Sequence, residues 1–142
     1  MDLTQLTIRK FHEGLIGKEF RALDVVQELF MHIEMHDKEI GAFLSFAKDA
    51  ALRQAESADI AVGKGHAVGP LMGVPLAIKD NMLIEGMSAT AGSKILKNYT
   101  GVYDATVVEK LKSAGAVVLG KTNLDEFAMG SSTENSAYKK TR

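Results

Sequence analysis

The sequence predicts an α/β fold: a helical first third leads into the start of a largely parallel sheet flanked by helices. Three observations carry this. Apolar residues recur at helical spacing up to Val62, two short apolar runs around Leu76 and Val118 read as strands, and a helix-period segment lies between those runs. Strand, helix, strand with continuous apolar runs and no alternation predicts a parallel pair covered on both faces.

Leu3, Leu6, Ile8, Phe11 and Leu15 predict a loosely amphipathic helix that ends between Gly14 and Gly17. A second begins near Arg21, with Leu23, Val26, Phe30 and Ile33 as its stripe and Gly41 as its stop. Ala42 to Phe46 reads as a short extended segment. Lys48 to Val62 is alanine-rich, with Ala51, Ala55 and Ala58 on one side, which suits close helix packing. Gly63-Lys64-Gly65-His66 is a loop, and Gly69-Pro70 sets off the next segment. Val74 to Ile78 then reads as a buried strand, with Pro75 tolerated near its start. Asp104 is expected to cap a helix carrying Val107, Val108 and Leu111, closed by Gly115. Ala116 to Leu119 is the second strand, and Thr122 or Asn123 starts a short helix through Phe127. From Gly130 to Arg142 the chain is polar and has no closing element. Unpaired strand edges and an exposed apolar patch are therefore expected.

A net charge of -1, from 17 basic and 18 acidic residues, creates no field that would favour nucleic acid or an anionic membrane. The absence of cysteine excludes disulfides, thiolate metal sites and a cysteine nucleophile. Met1-Asp2-Leu3-Thr4 does not begin a secretory signal, and no apolar run approaches the roughly 20 residues of a membrane helix. A cytoplasmic location is expected, and Asn98-Tyr99-Thr100 is then a chance match to a glycosylation acceptor.

Gly115-Ala116-Val117-Val118-Leu119-Gly120-Lys121-Thr122 satisfies the phosphate-loop pattern. Its four variable positions would have to bend until their N–H groups converge on an anion. Filled by Ala-Val-Val-Leu, they predict a strand instead, and no nucleotide binding is expected. His32 and His36 stand one helical turn apart without a third ligand. They read as solvated helix-end residues, favourable against the dipole, and no metal site is expected. His12 and His66 are isolated and expected to be exposed. Asp125 and Glu126 are adjacent, do not share a helix face, and suit a first helical turn.

Lys79 supports two readings. On a strand, Ala77 and Lys79 share one face while Val74, Leu76 and Ile78 share the other. A lysine at the mouth of a buried parallel strand sits where α/β sheets place functional groups, and partial burial would lower its pKa towards that of a usable base. Alternatively, it snorkels to solvent and pairs with Asp80. Position alone favours the second reading.

The residues themselves reverse that balance. GPLMGVPLAIKDN at 69–81, YDATVV at 103–108 and GAVVLGKTN at 115–123 resemble, in order, segments of the amidase-signature family. DEFAMGSSTENS at 125–136 is similar to one subgroup, the A subunits of glutamyl-tRNA(Gln) amidotransferases. The resemblance implies a mixed sheet flanked by helices and a Ser–Ser–Lys triad. In that triad the lysine accepts a proton through a bridging serine, which activates the nucleophilic serine. Lys79 carries over as the triad lysine, and both serines would fall beyond Arg142. Ser131 and Ser132 match the preceding loop and are not those serines. Met129 and Gly130 carry over as residues bordering the acyl pocket, whereas Ala89 and Ala91 depart from the polar residues usual at their positions.

The subgroup implies glutamine hydrolysis that supplies ammonia for converting Glu-tRNA(Gln) to Gln-tRNA(Gln). Its partners would be the B and C subunits, with tRNA met only through the complex. ATP and magnesium would sit on the partner subunit, with no cofactor or metal on this chain and no membrane association. Residues 1–142 would form the N-terminal portion of a single amidase domain, 1–62 mainly helical and 69–142 the start of the sheet core. Without both serines, this stretch alone would be inactive. The alternatives are another amidase-signature hydrolase of free amides, or an α/β scaffold or interaction fragment without activity.

Overall fold

Helix formation at the start of the chain is governed by Thr7, whose extended backbone and side-chain oxygen, accepting from the Lys10 N–H, open a helix rather than continue one. The computed structural model describes residues 3–142; Met1 and Asp2, which enter the reading of the N-terminus, lie outside the described residues. The single helix expected from Leu3 to Leu15 is therefore split. A turn of 3-10 helix at Leu3–Gln5 precedes helix α1 at Ile8–Ile16. Helix α2 covers Ala22–Ile40 and ends at Gly41 in the left-handed conformation. Its first free N–H groups, on Ala22 and Leu23, are met by the Asp59 carboxylate from helix α3, Lys48–Gly63, at 2.7 and 3.0 Å. The alanine face of α3 (Ala51, Ala55, Ala58) packs in one core with Ala22, Val25, Val26 and Phe30 of α2.

The extended segment after α2 is strand β1, Phe43–Phe46. With β2 at Pro75–Lys79 and β3 at Val117–Thr122, it forms a three-stranded sheet in the order β1-β3-β2. β2 runs parallel to β3, as the sequence predicts, and β1 runs antiparallel to it, so the sheet is mixed. Val117 and Leu119 join the core shared with α2 and α3. Val118 and Ile78 join a second core with Val108 of helix α4, Thr106–Ser113. Helices thus lie on both sides of β3, whose residues are buried up to Lys121. The expected double cover fails for β2: Ala77 and Lys79 are exposed. Beside it lies an apolar cleft that includes Leu6, Phe11, Leu29, Leu76 and Ala77.

Two local expectations are corrected. Asp104 does not cap α4, where Ala105 is the N-cap; its carboxylate accepts the Glu85 N–H at 2.8 Å and pairs with Lys112 at 2.6 Å. It fastens the turn after β2 to α4 instead. Nor does a helix start at Thr122 or Asn123. β3 runs through Thr122, and only a 3-10 turn follows, at Glu126–Ala128. The Phe127 N–H is drawn to the carbonyl of Ala91 at 2.8 Å, outside any helical ladder. The polar segment from Gly130 is irregular but tied down, with the Asn123 side-chain amide donating to the Lys139 carbonyl at 2.8 Å and the Arg142 N–H to Ile40 at 2.9 Å.

Candidate active site

Lys79 closes β2 opposite Thr122 of β3, so it stands at the carboxyl end of a parallel pair. Burial alternates as strand geometry requires, with Ile78 buried, Lys79 exposed and Asp80 buried. Ala77 shares the exposed face with Lys79. Among the described residues Lys79 makes no ion pair, and the partner suggested by its neighbour in sequence is engaged elsewhere. Asp80 is 1% exposed and its Oδ1 accepts from the Lys121 ammonium, itself 0% exposed, at 2.9 Å. Its Oδ2 accepts both the backbone N–H and the hydroxyl of Thr90, at 2.9 and 2.5 Å. The reading of Lys79 as one half of a surface pair with Asp80 therefore fails. The partial burial expected for it is also not provided by the described residues, because Lys79 is exposed.

The phosphate-loop reading of 115–122 fails on the same contacts. Residues 117–122 are strand, and the lysine that would meet a phosphate is sealed against Asp80 and the Ser88 carbonyl. Both glycines of the pattern have steric explanations. Gly115 has φ of +89° just past the end of α4, and a Cβ on Gly120 would lie 2.3 Å from the Ser45 carbonyl oxygen of β1.

Met129 and Gly130 follow two consecutive residues in the left-handed region, Phe127 at φ +54° and Ala128 at +61°. Such backbone costs on the order of 1 kcal/mol per residue and persists where surroundings over-determine it. Here Asp125 imposes the reversal: its buried carboxylate accepts the Asn135 N–H at 2.8 Å and the Ser132 N–H at 2.9 Å. Gly130 passes so close that an added Cβ would meet Asp125 Oδ2 at 2.4 Å. Met129 is 76% exposed and Gly130 is also exposed. The segment is joined to the Lys79 end of β2 by two backbone hydrogen bonds: Ala91 donates to the Asp80 carbonyl at 3.2 Å, and Phe127 donates to the Ala91 carbonyl at 2.8 Å.

Backbone donors from Asn135 and then Ser132 hold the Asp125 carboxyl below the ordinary aspartate range. Its contribution to the 130–136 loop is then complete above the unfolded pKa of about 3.9, and is lost as pH falls through the lower folded value. Amide exchange at Ser132 and Asn135, corrected for the intrinsic pH dependence, should show constant protection from neutrality to about pH 4 and loss only below it. Loss already between pH 6 and 5 would be contrary to this role.

The family model described as Amidase matches residues 24–142. The chain belongs to the amidase family. It is 49% identical, over all of its length, to the A subunit of a glutamyl-tRNA(Gln) amidotransferase from Carboxydothermus hydrogenoformans, of which it spans 29%. The crystal structure of the corresponding A subunit from Thermotoga maritima matches the whole chain with a TM-score of 0.74 and 40% identity, the chain spanning 28% of that protein. The peptide amidase of Stenotrophomonas maltophilia matches 94% of the chain with a TM-score of 0.85 and 31% identity, and again 28% of that protein is covered. The chain thus spans under a third of the length of each of these relatives.

Within this amidase chain, the remaining sequence candidates separate cleanly from the site. His32 and His36 lie exposed on α2 with stacked rings, and His66 is exposed. No group of three or more His, Cys, Asp or Glu side chains placed to hold a metal occurs among the described residues. His12, expected to be exposed, is half-buried against Phe11, and its Nε2 has no hydrogen-bond partner among the described residues. Asp125 and Glu126 do not form an acid–base pair, since Glu126 accepts the Ser93 hydroxyl while Asp125 holds the loop. Sequence reasoning missed Asp80, Thr90 and Lys121. One signal was present: opposite charges stand just past matched apolar runs on the two parallel strands.

Proposed function

We propose that this chain carries the base lysine of a glutamine amidase, the component that supplies ammonia for transamidation of Glu-tRNA(Gln) to Gln-tRNA(Gln). The observation that carries the reading is Lys79 itself. It stands at the carboxyl end of a parallel strand, beside the small Ala77 on the exposed face, with the carboxylate next to it in sequence paired to Lys121. Space beside the amine suits the approach of a serine. A bridging serine and a nucleophilic serine, supplied by chain beyond Arg142, would complete the triad and provide the burial that the described residues do not. Met129 and Gly130 would border the acyl pocket, presented by the strained turn at 127–128.

In this reading, residues 1–142 are the N-terminal portion of one amidase domain, and this stretch alone does not hydrolyse amides. Two further subunits, B and C, complete the enzyme in the cytoplasm, with tRNA, ATP and magnesium handled mainly by B. No helix among the described residues is long and apolar enough to cross a membrane. Resemblance over the entire chain to A subunits of glutamyl-tRNA(Gln) amidotransferases supports the glutamine-specific role. Likeness to a peptide amidase keeps hydrolysis of other amides as the second reading. The full-length protein should therefore be assayed for ammonia release, with and without its partner subunits and Glu-tRNA(Gln). Glutamine hydrolysis that rises with the partners and charged tRNA supports the proposal. Equal turnover of glutamine and simple peptide amides without the partners would favour the free-amide hydrolase.

A further inference from the structure

A buried ion pair is a costly way to fill a core, since apolar side chains of equal volume often give the same or greater stability. The pair between Asp80 and Lys121 is fully enclosed, so its retention asks what it fixes. The contacts of Asp80 give an answer. Its carboxylate reaches β3 through Lys121 and the 88–92 segment through Thr90, while the Lys121 ammonium also donates to the Ser88 carbonyl at 3.2 Å. Its main chain is held as well, donating to the Thr122 carbonyl at 3.0 Å and accepting from Ala91 at 3.2 Å. Thr90 Oγ1 in turn accepts the Gly92 N–H at 3.2 Å. Ala91, held at φ +50°, passes the connection on by accepting from Phe127.

We propose that Asp80, paired with Lys121 and braced by Thr90, is a positioning residue that fixes the separation between Lys79 and the 127–130 segment. This rests on the reading of Lys79 as the amidase base and adds to it the device that sets its distance from the pocket. Both ends are anchored at the same residue: Lys79 is covalently next to Asp80, and the 127–130 segment hangs from Ala91, which hangs from Asp80. A shift of the 88–92 segment relative to β2 would move the pocket against the base, and a displacement of about 1 Å can lower a rate by about a hundredfold.

Thr90 allows a test without emptying the ion pair. In the full-length enzyme with its partners, Thr90→Val removes the hydroxyl donor at nearly constant volume, and Thr90→Ser keeps it. Thr90→Val should lower kcat for glutamine about tenfold or more with KM nearly unchanged, and Thr90→Ser should restore turnover to near the native level. Amide exchange at Ala91 and Phe127, measured on the same proteins, should quicken in Thr90→Val and not in Thr90→Ser. Native kcat in a folded Thr90→Val variant would overturn the proposal. So would parallel losses of kcat, KM and melting temperature in both variants, the pattern of a structural role only. If the native enzyme does not hydrolyse glutamine at all, the proposed function falls and takes the catalytic meaning of the device with it. The exchange rates alone then decide whether Asp80 couples the two segments.

Discussion

Replacing Lys121 with methionine should destabilise the fold by about 3–5 kcal/mol, the cost of leaving one member of a buried pair without its partner. Methionine matches the length of the lysine stem, so the effect comes from the charge and not from a cavity. What remains is a carboxylate at 1% exposure with Thr90 as its only side-chain partner among the described residues. Asp80→Asn should fail for the converse reason, by leaving the ammonium against an amide. The double replacement, Asp80→Asn with Lys121→Met, removes both charges and should recover most of the loss. Chemical denaturation of the four proteins measures this as a coupling between the two sites. Strict additivity, or a loss below about 1 kcal/mol for Lys121→Met, would show that Asp80 and Lys121 do not form an enclosed unit.

The sheet core was legible because its signals are local. An apolar run ending in Lys79, a helix-period segment, and a second apolar run ending near Gly120 are enough to specify two parallel strands and their crossover. The alternation that exposes Ala77 and Lys79 follows from strand geometry once the strand is placed. β1 was legible as extended backbone but not as an antiparallel neighbour of β3. Four residues carry no record of their partner, and the pairing is set by how α2 and α3 bring the segment across Gly120. Acidic residues misled twice. Asp104 and Asp125 stand where caps and first turns are expected, yet each carboxylate is spent on distant donors, Lys112 and Glu85 for one, Asn135 and Ser132 for the other. Lys121 was hidden by a motif. A lysine in a phosphate-loop pattern draws attention to ligands, whereas its partner lies 41 positions earlier in sequence. Of the site, Lys79 was singled out by its strand end and assigned by resemblance, whereas Met129 and Gly130 were named from resemblance alone. The contacts joining their segments are tertiary and could not be read from spacing.

The largest effect on activity is expected at Lys79. If its amine takes the proton relayed from the nucleophile, it has to be neutral at the moment of reaction, and only a group that can lose its proton serves. Arginine keeps the charge, the length and the capacity for surface pairing but does not deprotonate in proteins. Lys79→Arg and Lys79→Ala should therefore fail alike, each losing several kcal/mol of transition-state stabilisation, on the order of the loss caused by removing one member of a catalytic unit. Neither should unfold the protein, since Lys79 belongs to neither apolar core and makes no ion pair among the described residues. A surface role predicts the reverse order, with arginine tolerated and alanine mildly destabilising. The deciding measurement is glutamine hydrolysis by the full-length Lys79→Arg enzyme with its partner subunits, alongside circular dichroism. A folded protein without measurable turnover is the predicted result, and a folded protein with near-native turnover would contradict the assignment of Lys79 as the base.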